Sequence, residues 1–143
     1  MADVHSKETR SYNMSRIHSK DTKPEILVRK YLFSQGLRYR KNDKRYPGHP
    51  DLVFPKYETI VFINSCFWHK HVGCPHFVLP KSNIEFWSAK LETNMQRDER
   101  NISSLCSDGW NVIVIWECEL RKPLRDERLL KLYSEITHRK NRY

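Results

Sequence analysis

The chain has 143 residues, a formal net charge of +9, 38% hydrophobic residues and four cysteines. That length suits one domain with its own core, and no apolar run approaches the ~20 residues of a membrane span or the apolar centre of a signal peptide. A membrane protein is therefore not expected, and a soluble cytoplasmic monomer is. The charge is uneven: residues 1–50 carry 12 Lys/Arg against 5 Asp/Glu, and the rest 14 against 12. A one-sided basic third points to a polyanionic partner, nucleic acid first among them.

Residues 1–21 are polar and basic, with Arg10, Arg16 and Lys20 set around Tyr12, Met14 and Ile17. They read as an ordered arm or as a loose tail. Thr22-Lys23-Pro24-Glu25 opens a helix: Thr22 can cap, Pro24 is tolerated in the first turn, and Glu25 occupies the capping-box position. Leu27, Val28, Tyr31 and Leu32 form its apolar face, and Gly36 ends it. A strand is expected over Leu37–Lys41, then a loop through Pro47-Gly48-His49-Pro50. Asp51 opens a second strand that stops at Pro55. Thr59–Ile63 is continuously apolar and reads as a strand buried on both faces.

The densest stretch is CFWHKHVGC, residues 66–74. Cys66, His71 and Cys74 offer soft sulfur and nitrogen ligands for a tetrahedral zinc, with His69 or His76 as alternatives to His71. Secretion is not indicated, so metal binding is a better reading of these cysteines than disulfides. Cys118, just past the apolar run Val112–Trp116, can supply the fourth ligand if that strand neighbours Thr59–Ile63. Cys106 reads as a small core residue. A closed set of three cysteines and one histidine is structural, leaving no open position for chemistry.

Ser82 with Glu85 predicts a capping box opening a helix to about Cys106. Its stripe runs Ile84, Trp87, Leu91, Met95, Ile102, Leu105, and Asp98 falls on that same face. An inward carboxylate needs a partner. Arg97 and Arg100 point elsewhere, so the partner is expected on another element. A histidine fits, because a carboxylate fixes its tautomer and raises its basicity; His69 is the candidate. Asp51, at a strand start, is placed to hold Mg²⁺. Phe67 and Trp68 are core residues by default, but beside a basic surface they also suit stacking on bases. Val112–Trp116 reads as another central strand. A last amphipathic helix spans residues 123–138, with Leu129, Tyr133 and Ile136 inward. The order predicts an α/β domain with a small mixed sheet flanked by helices.

The segments TRSYNMSRIHSKDTKPE, PGHPDLVF, FINSCFWHKHVGCPHF, FWSAKLETNMQRDERN and GWNVIVIWECEL together resemble the very-short-patch-repair (Vsr) DNA mismatch endonucleases, in order and spacing, over residues 3–121. The resemblance implies a restriction-endonuclease-like fold with a structural zinc held by Cys66, His71, Cys74 and Cys118. It implies Mg²⁺ on Asp51 and the backbone carbonyl of Ile63, His69 as catalytic acid/base supported by Asp98, and Glu25 as a further acidic group. Residues 1–21 become a DNA-contacting arm, with Met14 entering from the minor groove beside Arg16 and Lys20, and residues 22–143 the endonuclease domain. Phe67, Trp68 and Trp87 wedge from the major-groove side. The implied substrate is double-stranded DNA with a T:G mismatch, nicked 5′ to the thymine, in functional partnership with a DNA cytosine methyltransferase and mismatch-repair proteins. The family pattern has a histidine where this chain has Asn64, which can hydrogen-bond a phosphate but does not carry protons at neutral pH. Two rival readings follow: a zinc-containing mismatch reader with weak or no cleavage, and a nuclease of broader mismatch range.

Overall fold

The structure is a computed structural model, and residues 22–138 are described. Helix α1 is Lys23–Ser34. The Thr22 hydroxyl caps it by accepting from the Glu25 N–H (3.4 Å), which removes one of the orphan donors of the first turn. Gly36, at φ +89°, takes the left-handed position that closes the helix, and the Leu37 N–H reaches back to the Leu32 carbonyl (3.1 Å). The strand expected over Leu37–Lys41 shrinks to β1, Arg40–Lys41. β2 is Leu52–Phe54 and β3 is Thr59–Asn64.

Helix α2, Ile84–Ser107, begins without the expected capping box: Asn83 precedes it in the left-handed region (φ +56°) and makes no side-chain cap. Asparagine tolerates that conformation, so the chain enters the helix from Asn83 instead of Ser82. The stripe is buried at Leu91 and Leu105, but Ile84 is 51% exposed. Cys106, expected in the core, is exposed. β4 is Asn111–Trp116 and α3 is Arg125–Thr137. Leu129 and Ile136 are buried as expected, and so is Leu132.

The described strands form one sheet in the order β1-β2-β3-β4, antiparallel except for the parallel β3–β4 pair. β4 therefore lies at an edge, not at the centre. Its apolar run is explained by packing on both faces. Val28 and Leu32 of α1 and Leu129, Leu132 and Ile136 of α3 pack with Leu52, Phe54, Val61, Ile113 and Ile115 on one face. Leu105 of α2 packs with Val53 and Ile60 on the other, joined by Phe62 and Val112. The two-residue alternation sends neighbours in one strand to opposite helical layers. Truncating a fully buried residue such as Leu132 to alanine removes about 2–5 kcal/mol. Among the described residues, no helix is long and apolar enough to cross a membrane.

Candidate active site and metal centre

The parallel register sets Asn64 opposite Trp116, so the segments leaving the two strands start side by side. The loop after β3 brings Cys66, His71 and Cys74; the turn after β4 brings Cys118. Their four ligand atoms all lie within 4.8 Å of one another. Cys118 Sγ is 3.5 Å from His71 Nδ1. Donors around a tetrahedral zinc sit about 3.5–3.8 Å apart, given Zn–S near 2.3 Å and Zn–N near 2.0 Å, so the cluster fits that ion's coordination. His71 is the histidine brought to the cysteines. Its ring stacks flat on Trp116, centroids 3.9 Å apart at 1°, which fixes the imidazole plane. Burial, then the crowding of Cys66 and Cys74, pushes the Cys118 thiol up to about 12. A metal held by these residues would relieve that crowding by taking the thiols as thiolates.

Beside the cluster lies a cleft of about 470 Å³. Glu25 from α1, Asp51 from the start of β2, Asn64 from the end of β3 and His69 from the loop all line it. The Ile63 N–H donates to Asp51 Oδ2 (2.6 Å). Asp51 is nonetheless raised from the ordinary 3.8 to about 7: burial dominates, the Ile63 N–H opposes it, and the neighbouring Glu25 carboxylate adds to it. Two adjacent carboxyls in a sheltered cleft form a site that gains by binding a cation. Glu25 is only 4% exposed; its carboxyl faces Asp51 as well as occupying the first turn of α1.

His69 Nδ1 lies 2.5 Å from Asp98 Oδ2. The inward aspartate expected from helical spacing thus meets the candidate histidine. With Nδ1 engaged by the carboxylate, Nε2 is the nitrogen left to exchange a proton. The same helix ties down the loop twice more: Glu92 binds Lys70 (2.7 Å), and Asn94 Nδ2 donates to the Trp68 carbonyl (3.1 Å).

Phe67, Trp68 and Trp87 form one half-buried aromatic group, with ring centroids 5.1–5.8 Å apart. Phe86 extends it toward solvent, 5.2 Å from Trp87 and 57% exposed. Ile84, 51% exposed, is outside the core stripe. Met14, Arg16 and Lys20 lie outside the described residues.

A family model described as DNA mismatch endonuclease Vsr matches residues 2–76. The chain belongs to the Vsr DNA mismatch endonuclease family. It is 53% identical to a type II nicking enzyme, V.NmeAIP, of Neisseria meningitidis over 95% of this chain and 97% of that protein. It is 47% identical to the type II nicking enzyme V.XorIIP of Xanthomonas oryzae over 84% of this chain and 88% of that one. It is 44% identical to the DNA mismatch endonuclease Vsr of Escherichia coli over 94% and 87%. The chain is thus a DNA endonuclease by family. The matched span holds Glu25, Asp51, Asn64, His69 and three of the four cluster residues, while Trp87, Asp98 and Cys118 lie beyond it.

The cleft also holds residues that sequence reasoning passed over: His49, Ser65 and Glu117. Ser65 binds the loop, accepting from the Trp68 N–H (3.1 Å). Glu117 follows β4 directly, as Cys118 does, and the parallel β3–β4 pairing would have located both. His49 was visible as the only side chain able to carry a proton in Pro47-Gly48-His49-Pro50.

Proposed function

We propose that this endonuclease is Mg²⁺-dependent and nicks one strand of duplex DNA 5′ to the mispaired thymine of a T:G mismatch. The observation that carries the reading is the meeting in one cleft of the Asp51–Glu25 pair with His69, whose ring Asp98 engages at Nδ1. The fold is read as restriction-endonuclease-like, with the α-β-α layering around a mixed sheet in support.

Asp51 would hold Mg²⁺, with the Ile63 carbonyl as a second ligand. In an extended strand a residue's N–H and C=O project to the same side, and the Ile63 N–H already points at Asp51. The ion would neutralise charge on the phosphate and lower the pKa of water. His69 exchanges a proton through Nε2 while Asp98 holds the ring and stabilises its charged form. Asn64, 7% exposed at the cleft wall, offers an amide donor to the phosphate. Zinc on Cys66, His71, Cys74 and Cys118 holds the loop so that His69 stays in place.

Phe67, Trp68 and Trp87 would enter the duplex from the major-groove side, and the basic arm with Met14, Arg16 and Lys20 from the minor-groove side. A mispaired step is cheaper to unstack than a paired one, which gives selectivity. A cytosine methyltransferase and mismatch-repair proteins are the functional partners this role implies.

The test is a panel of end-labelled duplexes carrying each mismatch, plus a paired control, incubated with protein and Mg²⁺. One-strand nicking confined to T:G supports the reading; equal nicking of several mismatches replaces it with the broader nuclease. Asp51→Ala should bind the T:G duplex and leave it uncut, and retained nicking would remove Asp51 from the site.

A further inference from the structure

One polar side chain in the cleft has no role in the chemistry above. His49 lines it together with Asp51, Asn64 and His69. Its backbone sits in the left-handed region at φ +48°, a conformation that disfavours L residues by about 1–2 kcal/mol. Such local strain persists only where the surroundings enforce it, and here they do. The His49 N–H donates to the Tyr46 carbonyl (3.1 Å), and the loop's two arms are joined by Asn42 N–H to Asp51 carbonyl (3.0 Å) and Asp43 N–H to Pro50 carbonyl (3.2 Å). Arg45 grips Asp43 through two side-chain bonds (2.7 and 3.0 Å). Tyr46 packs edge-on against Trp110 at 5.2 Å.

Gly48 presses the loop onto the cleft wall. A Cβ there would meet the Phe62 ring at 3.0 Å and the Asn101 amide at 3.2 Å, and Phe62 itself lines the cleft. The loop carrying His49 is thus tied down at Asp43, Tyr46 and Gly48, yet the imidazole is exposed and makes no hydrogen bond or ion pair among the described residues. A side chain held at such cost at the cleft, with no partner among the described residues, is placed to meet a substrate there.

Resting on the nuclease reading, we infer that His49 is a substrate-contacting residue whose imidazole N–H donates to a non-bridging oxygen of the phosphodiester held at Asp51. The contact asks for a donor and no proton transfer, since imidazole keeps an N–H in either charge state. Together with the Asn64 amide it would place two hydrogen-bond donors where equatorial negative charge grows during the displacement. That places its effect on the rate more than on binding.

The test compares His49→Leu and His49→Gln, two side chains of similar size that meet the same backbone constraint and differ in having a donor. In single-turnover nicking of a T:G duplex the leucine variant should be slower by about 10²-fold, with duplex affinity within about threefold of wild type. The glutamine variant should recover to within about tenfold of wild type. A leucine variant as fast as wild type overturns the contact, and so does a glutamine variant as slow as leucine, which would mark a purely structural role. In the wild-type protein without Mg²⁺, the His49 ring resonances should shift on adding the T:G duplex, and unshifted resonances also overturn it. A wild-type protein that binds the duplex and never nicks it sinks the functional reading and this contact with it. Wild-type nicking with an unaffected leucine variant sinks the contact alone.

Discussion

Asp51→Asn should make the protein more stable above neutral pH while removing its activity. The carboxyl is raised from 3.8 to about 7 by burial first, against the Ile63 N–H and with the Glu25 carboxylate adding to it. A carboxyl raised in the folded state holds a proton that the unfolded chain would release. Its ionisation therefore counts against folding: the penalty is absent below about pH 4, grows between pH 4 and 7, and is constant above. At about 1.36 kcal/mol per pH unit, the full displacement corresponds to about 4 kcal/mol. The Glu25 carboxylate is one cause of that displacement, so the figure is a ceiling for Asp51 alone. An amide in place of the carboxylate keeps an oxygen for the Ile63 N–H and drops the charge. Urea unfolding without added Mg²⁺ should then show the variant about 2–4 kcal/mol more stable than wild type at pH 8, with the gap nearly closed at pH 4. Adding Mg²⁺ at pH 8 should raise the wild type toward the variant and leave the variant unmoved. A variant that is no more stable at pH 8, or a gap that ignores pH, would refute the account of Asp51 as a carboxylate held against its own desolvation.

Asp98→Asn keeps a polar group beside His69 but withdraws the charge that supports the imidazolium; nicking should fall by about 10²–10⁴-fold with duplex binding kept, and a wild-type rate would dissolve the pair as a proton-handling unit. Purified protein should carry about one zinc per chain, and Cys118→Ser should lower both the zinc content and the melting temperature; absence of zinc would refute the assignment. Trp68→Ala should weaken binding to the T:G duplex by about 1–3 kcal/mol and binding to a paired duplex by less. Equal losses on the two duplexes would count against a wedge at the mismatch.

Local chemistry made much of the fold legible. The Thr22 cap and the Gly36 stop follow from rules acting within a few residues, and α1 has those ends. The apolar run of β3 reported an interior strand buried on both faces, but that of β4 overstated its place: its buried residues, Ile113 and Ile115, share one face, Val112 packs partly buried on the other, and the strand ends the described sheet. Burial and centrality are different properties, and hydrophobicity reports only the first. The failure at Ser82 has the opposite origin. A capping box is a competition among local conformers, and here Asn83 in the left-handed region wins it.

The site was legible where a residue broke a rule and obscure where it obeyed one. Asp98 violated an apolar stripe, so its need for a partner could be read from helical spacing, and His69 meets it at 2.5 Å. Glu25 obeyed the helix-start pattern so well that its cap role was a sufficient explanation; only the packing of α1 beside β2 reveals the carboxyl next to Asp51. His49 sits among turn formers, where a polar residue arouses no suspicion, and its significance comes from a loop pinned at Asp43, Tyr46 and Gly48. Cys118 was intermediate: its chemistry was plain, but its membership of the cluster depended on β3 and β4 being neighbours. The parallel pairing of those two strands does the most to assemble the site. It brings Cys118 to Cys66 and Glu117 to the cleft, and the crossover it requires is α2, the helix that carries Asp98 to His69. One topological fact thus places the metal cluster and the histidine–aspartate pair together, and a slip of β4 by one residue against β3 would turn Cys118 and Trp116 away from His71 at the same stroke.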